Sequence, residues 1–253
     1  MRAHAKLTRS LRITGVRADG YHLIDAEMVS LDLHDVLTIT PQSSGITATG
    51  PFASGVPLDQ TNLVSRALDL VGADTAHIAI DKQIPHGGGL GGGSTDAATV
   101  MRWGGMNSDP AELARASQLG ADIPFCLVGG RAQVRGIGEI IEPLPYVERT
   151  FTLVIPPLTV STPAAYRAWD DLGGPTAHGP NDLEPAALRV EPRLQRWRDA
   201  IGSRVGTAPT LAGSGATWFT EGEHQDALTD LVDEGATVVV ARTVPNEVAT
   251  HTG

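Results

Sequence analysis

Ile84-Pro85-His86-Gly87-Gly88-Gly89-Leu90-Gly91-Gly92-Gly93-Ser94-Thr95-Asp96-Ala97-Ala98 is the stretch of this 253-residue chain that decides its fold. Six of the seven residues from 87 to 93 are glycines, which contribute no side chain to a core. Such a run suits a backbone that approaches a ligand closely. Because it leads into an apparent helix at 94–101, unpaired N–H groups and the positive end of the helix dipole predict an anion site, as in phosphate-binding loops.

Two common phosphate-binding motifs do not fit this loop. A Walker motif needs a lysine after its last glycine, whereas Ser94 follows Gly93. A dinucleotide-binding fingerprint can be matched within the glycine run, but any glycine-dense run produces one. The acidic residue at the distance that this fingerprint needs, Glu112, falls at an apparent helix start. Ser94 and Thr95 would add hydroxyl donors to the anion site, and a role as helix N-caps is equally open.

Composition narrows the class of protein. With 41% hydrophobic and 19% charged residues, the chain predicts a packed globular core. A formal net charge of -10 argues against nucleic-acid and anionic-membrane partners. The single cysteine, Cys126, excludes an intramolecular disulfide, and its apolar neighbours indicate a buried thiol. No apolar stretch approaches the roughly 20 residues of a membrane helix, and the first six residues lack a signal-peptide pattern, so we expect a cytoplasmic protein.

The periodicity of apolar residues predicts a mixed set of elements. Residues 27–40 alternate in the manner of a strand, with a break near His34 and Asp35. Asp109 is a predicted N-cap with Pro110 in the first helical position. Other predicted elements are helices at 62–71, 163–170 and 190–202 and strands at 77–84, 151–155 and 237–243. Without regular βαβ alternation, these elements indicate an α+β fold, with a boundary between two lobes near 145–150.

The glycine loop resembles the nucleotide-phosphate motif of GHMP kinases, small-molecule kinases that transfer phosphate to an alcohol or a phosphate. The resemblance implies a two-lobed fold, with a nucleotide and catalytic domain at 1–147, a C-terminal α/β domain at 148–253, and the active site between them. It implies an ATP site formed by Asn62, Lys82, Pro85, Gly87, Gly88, Gly89, Leu90, Gly91, Gly92, Gly93, Ser94 and Thr95. Within that set, Lys82 matches a basic residue near the adenine.

A second motif, Arg17-Ala18-Asp19-Gly20-Tyr21-His22, resembles one that is distinctive for the branch of the superfamily acting on a cytidylated methylerythritol. By that resemblance His22 would hydrogen-bond the cytosine and Tyr21 would stack on it. Tyr166 would cover the other face, although a packed helix residue is an equally good interpretation. Gly213 and Ser214 resemble the C-terminal motif that borders the phosphate-transfer site.

The catalytic pair implied by the resemblance is Lys6 and Asp122. An isolated aspartate before an apolar run is usually a cap or turn residue, but Leu119-Gly120-Ala121-Asp122-Ile123-Pro124-Phe125 is similar to the family's catalytic segment. The chain has only two lysines, Lys6 and Lys82, and both fall on family motif positions. The expected cofactors are ATP and Mg²⁺, with no dedicated metal ligands visible, and the expected state is a monomer or homodimer.

The chain departs from the family pattern at two places. Thr8 stands where the family usually has asparagine, and the segment from 98 to 109 is short. Two alternatives to the cytidylated substrate therefore stay open. One is a GHMP kinase for another small molecule, and the other is a catalytically silent binding protein with the same fold.

Overall fold

The computed structural model describes residues 1–73, 75–85 and 87–246. Within these residues the chain forms ten strands in two sheets, together with eight α-helices and one 3₁₀ turn. One loop residue, His86, and the last seven residues of the predicted second domain lie outside the described part. No helix in the described ranges combines the length and apolar character needed to cross a lipid bilayer.

The first sheet is organised around one long strand, β2. Its strands are β1 (Arg2–Val16), β2 (His22–Pro41), β3 (Gly45–Thr49), β4 (Ala76–Asp81), β5 (Arg131–Gly136) and β6 (Ile140–Pro143). Strand β2 pairs with β1 along most of its length, with β5 through residues 24–29 and with β4 through residues 36–41. The β1–β2 turn places Gly20 at φ 87°, a conformation that glycine adopts without steric strain.

Four helices cover this sheet: α1 (Leu63–Leu70), α2 (Gly92–Trp103), α3 (Pro110–Ser117) and α4 (Ile123–Val128). The predicted cap of α3 is confirmed, since Asp109 accepts a hydrogen bond of 3.0 Å from the Glu112 N–H and Pro110 follows it. Helix α2 is almost wholly buried, which fixes the position of the glycine loop in front of it.

The second sheet has the strand order β10-β7-β9-β8, with all its pairs antiparallel. Its strands are β7 (Thr150–Ile155), β8 (Thr210–Leu211), β9 (Trp218–Glu221) and β10 (Thr237–Arg242). The helices of this half are α5 (Thr162–Asp171), α6 (Glu184–Val190), α7 (Leu194–Val205) and α8 (Thr229–Asp233), with a 3₁₀ turn at Gln225–Leu228.

The two sheets share part of their core. One buried cluster joins side chains of the first sheet and the glycine loop to side chains of the second: Ala5, Leu7, Val29, Leu31, Ile84, Leu90, Phe151, Leu153, Ile155, Ala212, Phe219 and Ala241. A backbone bridge pairs Leu11 of β1 with Asn181, and another pairs Leu31 of β2 with Thr243. The predicted two-lobed α+β architecture is confirmed, and β1 runs along the junction of the lobes.

Two predictions about elements are wrong. Strand β2 continues through His34 and Asp35 without a break. Asp35 looked like a loop residue, but it is fully buried and bonded to distant groups. The helix predicted at 190–202 has the wrong bounds, because α7 spans Leu194–Val205 and Val190 is the last residue of α6. Between them lies Pro192, which favours a break in the helical backbone.

Candidate active site

The glycine loop ends where helix α2 begins. Gly91 is the N-cap of α2 in the left-handed conformation, at φ 70°, and it offers no side-chain cap. Ser94 and Thr95 are the third and fourth residues of the helix, so the alternative that one of them is its N-cap is wrong. The first free N–H groups of α2 therefore belong to Gly92, Gly93 and Ser94, where an anion can accept from them. A small hollow of about 90 Å³ is lined by this loop and by Lys82.

A second glycine loop, 212–216, packs against the first. A Cβ on Gly89 would lie 2.6 Å from the carbonyl oxygen of Ala212, and one on Gly88 would lie 2.8 Å from the Thr217 hydroxyl. The Thr217 N–H donates to the Gly88 carbonyl at 3.2 Å. Since these approaches leave no room for a side chain, glycine is required for the two loops to meet.

Lys6 and Asp122 meet beside this pair of loops. The Lys6 Nζ lies 3.2 Å from Oδ2 of Asp122 and also donates to the Thr8 hydroxyl at 3.2 Å. The Lys6 side chain is 5% exposed, whereas that of Asp122 is 34% exposed. The backbone N–H of Lys6 donates to the Leu90 carbonyl, which joins β1 to the glycine loop. The pair therefore combines a held cation with a carboxylate that a substrate can reach.

The carboxylate of Asp122 makes no capping hydrogen bond to the backbone of α4. Asp122 sits at the N-cap position of this helix. Its own carbonyl accepts from the Cys126 N–H, which is an ordinary first helical bond. A Cβ on Gly138, in the β5–β6 turn, would lie 2.2 Å from the Ala121 carbonyl, so this turn packs tightly behind the aspartate. The carboxylate is left free to face Lys6 and the cavity.

A cavity of about 250 Å³ brings together both predicted catalytic residues, two residues of the predicted ATP site and three of the predicted substrate site. Its lining includes Lys6, Thr8, Gly89, Ser94, Asp122, Ile137, Thr162, Tyr166, Gly213 and Ser214. The Ser214 and Thr162 hydroxyls are 2.8 Å apart, which joins the second glycine loop to α5. Asn181 donates to the carbonyls of Leu211 and Gly213 and so supports that loop from behind.

An aromatic group lies beyond Tyr166. The ring centroids of His22 and Tyr166 are 4.7 Å apart and tilted by 33°, and Trp169 meets His22 edge-on at 5.5 Å. The His22 Nε2 lies 2.8 Å from Oδ1 of Asp170. Tyr21 is not part of this group: it is 59% exposed, and the Arg17 guanidinium lies over its ring.

Sequence reasoning missed Trp169 and Asp170. Both lie one turn after Tyr166 on α5, at the helical spacing that brings side chains to one face. This helical spacing was the only sequence signal for a binding role of the two residues, and it fits ordinary helix packing equally well. Burial raises the pKa of Tyr166 above its usual range, and the nearby Asp122 charge adds to the rise, so its hydroxyl stays protonated.

Two predicted nucleotide residues, Asn62 and Lys82, have protein partners. Asn62 caps α1 by accepting from the Val64 N–H at 2.9 Å, and it donates to the Pro57 carbonyl. The Lys82 ammonium bonds to Asp35 and Asp96 and is 4% exposed at the side chain. Neither lines the cavity that contains Lys6 and Asp122, and their contact with nucleotide stays a prediction.

The one cysteine of the chain also lies close to Lys6 and Asp122. Cys126 is buried in α4, and burial raises the pKa of its thiol to about 12, with the Asp122 charge acting in the same direction. At neutral pH it is an unreactive thiol rather than a nucleophile. The prediction of a buried Cys126 is confirmed.

Metal coordination was tested on the donor set of the cavity. In the described ranges, no three His, Cys, Asp or Glu side chains are grouped to hold a metal ion. Asp122 is the one carboxylate in the cavity lining. Mg²⁺ prefers oxygen ligands and keeps several waters, so this set fits an ion carried mainly by nucleotide phosphates, with Asp122 as the one protein carboxylate in reach.

Comparison with known proteins defines the class to which this fold and site belong. Residues 62–130, which include α1, the glycine loop and Asp122, match the family model described as GHMP kinases N terminal domain.

Curated relatives narrow the class. A 4-diphosphocytidyl-2-C-methyl-D-erythritol kinase of Paracoccus denitrificans is 39% identical over 236 residues, which cover 86% of this chain and 84% of that protein. The kinase of the same name from Xanthomonas axonopodis pv. citri is 40% identical over 243 residues, covering 87% of this chain and 80% of that one. The chain belongs to the 4-diphosphocytidyl-2-C-methyl-D-erythritol kinase family.

Solved structures agree with this result. A crystal structure of 4-(cytidine 5'-diphospho)-2C-methyl-D-erythritol kinase superposes with a TM-score of 0.74 at 30% identity, covering 96% of this chain and 98% of that one. A homoserine kinase from Cytophaga hutchinsonii gives a TM-score of 0.60 at 17% identity, covering 98% and 96% of the two chains. The second likeness shows the shared fold alone.

Proposed function

We propose that this protein phosphorylates the 2-hydroxyl of 4-diphosphocytidyl-2-C-methyl-D-erythritol with ATP, a step of the non-mevalonate route to isoprenoids. The observation that carries the proposal is the Lys6–Asp122 pair, which lies in the cavity between the two glycine loops of a chain belonging to this family. The names of the relatives supply the substrate, and the geometry supports a transfer to an alcohol.

In the proposed reaction, Asp122 accepts the proton of the attacking hydroxyl. Its carboxylate lines the cavity, and the Lys6 ammonium, 3.2 Å away, would orient the attacking oxygen beside it. Phosphoryl transfer passes through a loose transition state, so position matters more than the strength of the base. Thr8 restrains Lys6 through its hydroxyl, so the departure from the family asparagine leaves the lysine held.

The ATP phosphates are proposed to lie over the glycine loop, at the N-terminus of α2. The N–H groups of Gly92, Gly93 and Ser94 and the helix dipole stabilise negative charge there. The closeness of Lys6 to this loop supports the arrangement, because a Cβ on Gly91 would lie 2.6 Å from its Cγ. When bound with the nucleotide, Mg²⁺ neutralises charge between the β- and γ-phosphates, and Asp122 is the carboxylate that would face it.

The cytosine is proposed to bind at the aromatic end of the site. His22 would supply a hydrogen bond, and Tyr166 would cover one face of the ring, which their contact at 4.7 Å supports. Tyr21 would have to swing from solvent to cover the second face. Gly213 and Ser214 line the cavity between this end and the phosphate loop, where the methylerythritol would lie.

We also propose the domain division at 147/148 and a cytoplasmic monomer or homodimer acting on small molecules, without nucleic-acid or membrane partners. The net charge of -10 supports the last point, because polyanions are repelled by an acidic surface.

The test of the proposed function is ADP release from purified protein with Mg-ATP and the cytidylated substrate. The control reaction contains 2-C-methyl-D-erythritol 4-phosphate, which lacks the cytidine portion. We expect turnover with the cytidylated substrate only. Turnover with both would reject cytosine recognition. A folded protein that binds ATP but turns over neither would reject the substrate assignment.

A further inference from the structure

A buried cluster of three charges lies against the phosphate loop, and one of its members, Lys82, lines the small hollow formed by that loop. The Lys82 Nζ bonds to Oδ2 of Asp35 and, at 2.8 Å, to Oδ2 of Asp96. All three side chains are at most 4% exposed. None of them lines the cavity that contains Lys6 and Asp122. The two aspartates were absent from the predicted site.

The cluster holds both ends of the glycine loop. Asp35 Oδ1 accepts from the N–H groups of Gln83 at 2.6 Å and Ile84 at 2.8 Å, which lie directly before the loop. Asp96 belongs to the second turn of α2, directly after the loop. Lys82 joins the two carboxylates. The two flanks of the glycine loop, residues 83–84 and Asp96, are therefore joined through one ammonium group.

The close approach of Gly92 shows how tightly the cluster meets the loop. A Cβ at Gly92 would lie 3.2 Å from the Lys82 Nζ and 3.2 Å from Cγ2 of Ile84. Gly92 carries one of the free N–H groups at the start of α2. The ammonium group therefore lies against the backbone whose N–H groups would donate to phosphate.

The charges of the cluster do not balance. Two carboxylates face one ammonium group, and Asp96 Oδ1 finds no hydrogen-bond partner within the described ranges. Burial raises the pKa of Asp96, and the neighbouring Asp35 charge acts in the same direction, against the attraction of Lys82. Buried ion pairs often contribute little net stability, since desolvation opposes the attraction between the charges. Such a cluster contributes by fixing the positions of the residues to which it bonds.

We infer that Asp35 and Asp96 are positioning residues, which hold Lys82 and through it set the phosphate loop and the N-terminus of α2 for nucleotide binding. The inference rests on the proposed function only in that the loop binds ATP. It gives Lys82 a role through the loop backbone, since its ammonium is directed at the two carboxylates. The cytidylated substrate does not enter the argument.

The test is the affinity for ADP, measured by calorimetric titration in the presence of Mg²⁺ and without an alcohol substrate. Asp96→Asn keeps the shape of the side chain but removes a charged acceptor from Lys82. We expect ADP to bind roughly tenfold more weakly, the size of effect that follows from losing one charged hydrogen bond. In turnover assays, KM for ATP should rise while KM for the alcohol substrate stays unchanged.

Val100→Ala is the matched control, because Val100 is fully buried on the same helix and has no part in the cluster. Both variants should melt at a lower temperature than the unchanged protein, but only Asp96→Asn should lose ADP affinity. If Asp96→Asn fails to fold, the triple variant Asp35→Asn/Lys82→Met/Asp96→Leu removes all three charges together, so that no buried charge is left without a partner. It should show the same loss of ADP affinity.

Each outcome separates the inference from the substrate assignment. Unchanged ADP affinity in Asp96→Asn, or in the triple variant, overturns the positioning role. A tenfold loss of ADP affinity in a protein that does not turn over the cytidylated substrate supports the positioning role and rejects the substrate. Absence of ADP binding by the unchanged protein overturns the nucleotide site and the positioning role together.

Discussion

The two ends of the site are built differently. At the phosphate end, backbone groups approach one another closely: Lys6 donates its N–H to Leu90, and Gly89 leaves no space for a Cβ beside Ala212. At the end proposed to bind cytosine, the His22 side chain meets the Tyr166 side chain of α5, and Tyr21 lies outside this contact, 59% exposed. The first end is set by main-chain packing, and the second by side chains that can move.

This difference predicts how each end responds to change. Main-chain packing has few alternative arrangements, so small additions there should be costly. Side chains at a surface can be replaced with smaller losses, which should appear as weaker binding of one substrate. The predictions below test this contrast, beginning with the reaction centre.

Asp122→Asn should have the largest effect. The variant keeps the shape of the side chain but cannot accept the hydroxyl proton, so kcat should fall by about 10³-fold while ADP binding is retained. Initial rates and calorimetric titration measure the two effects. Asp25→Asn is the matched control, because that half-exposed carboxylate on β2 accepts from Gln133 and lies outside the cavity lining. A kcat within tenfold of the unchanged protein would exclude Asp122 as the base.

Gly91→Ala should have the second-largest effect on activity. Gly91 lies at φ 70°, and its Cβ would meet Cγ of Lys6 at 2.6 Å, so the substitution strains the backbone and displaces the catalytic lysine. A displacement of this kind should lower kcat/KM by about 100-fold.

Gly105→Ala separates strain from displacement. Gly105 lies at φ 89° after α2, with nothing within 4 Å of a Cβ. The melting temperatures of the two variants should fall by similar amounts, but Gly105→Ala should keep the kcat/KM of the unchanged protein. Equal losses of activity in both would mean that the phosphate end is sensitive only to stability, and the contrast between the ends would fail.

Tyr21→Leu should have the smallest effect. Stacking of one base on an aromatic ring is worth about 1–3 kcal/mol, so the KM for the cytidylated substrate should rise roughly tenfold while the KM for ATP stays unchanged. Tyr146→Leu is the control, an exposed tyrosine whose hydroxyl donates to the Thr243 carbonyl. An unchanged KM in Tyr21→Leu would show that Tyr21 stays in solvent and that His22 and Tyr166 hold the base alone.

Sequence reasoning succeeded where the chemistry is local in the chain. The glycine run and the Asp109 cap depend on neighbouring residues, so the residue types are enough to predict them. Lys6 and Asp122 are far apart in sequence, and only the family resemblance joined them. The structure now places them 3.2 Å apart.

Reasoning from sequence failed where the environment of a residue depends on a partner far away in the chain. Asp35 looked like a strand break because a carboxylate seldom lies in a core, and its partner Lys82 is 47 residues away. Helix α4 was missed because Ile123–Val128 is apolar on all sides, and six such residues show no period. Trp169 and Asp170 were missed because their spacing from Tyr166 fits packing and binding equally well.

The core shared by the two sheets has a consequence for how the molecule unfolds. Leu7 and Leu31 of one lobe and Phe151 and Leu153 of the other are buried in the same cluster, so neither half can open without uncovering apolar surface of its neighbour. Denaturation should therefore be cooperative across the lobe boundary, and the halves that divide the chemistry between them form a single thermodynamic unit.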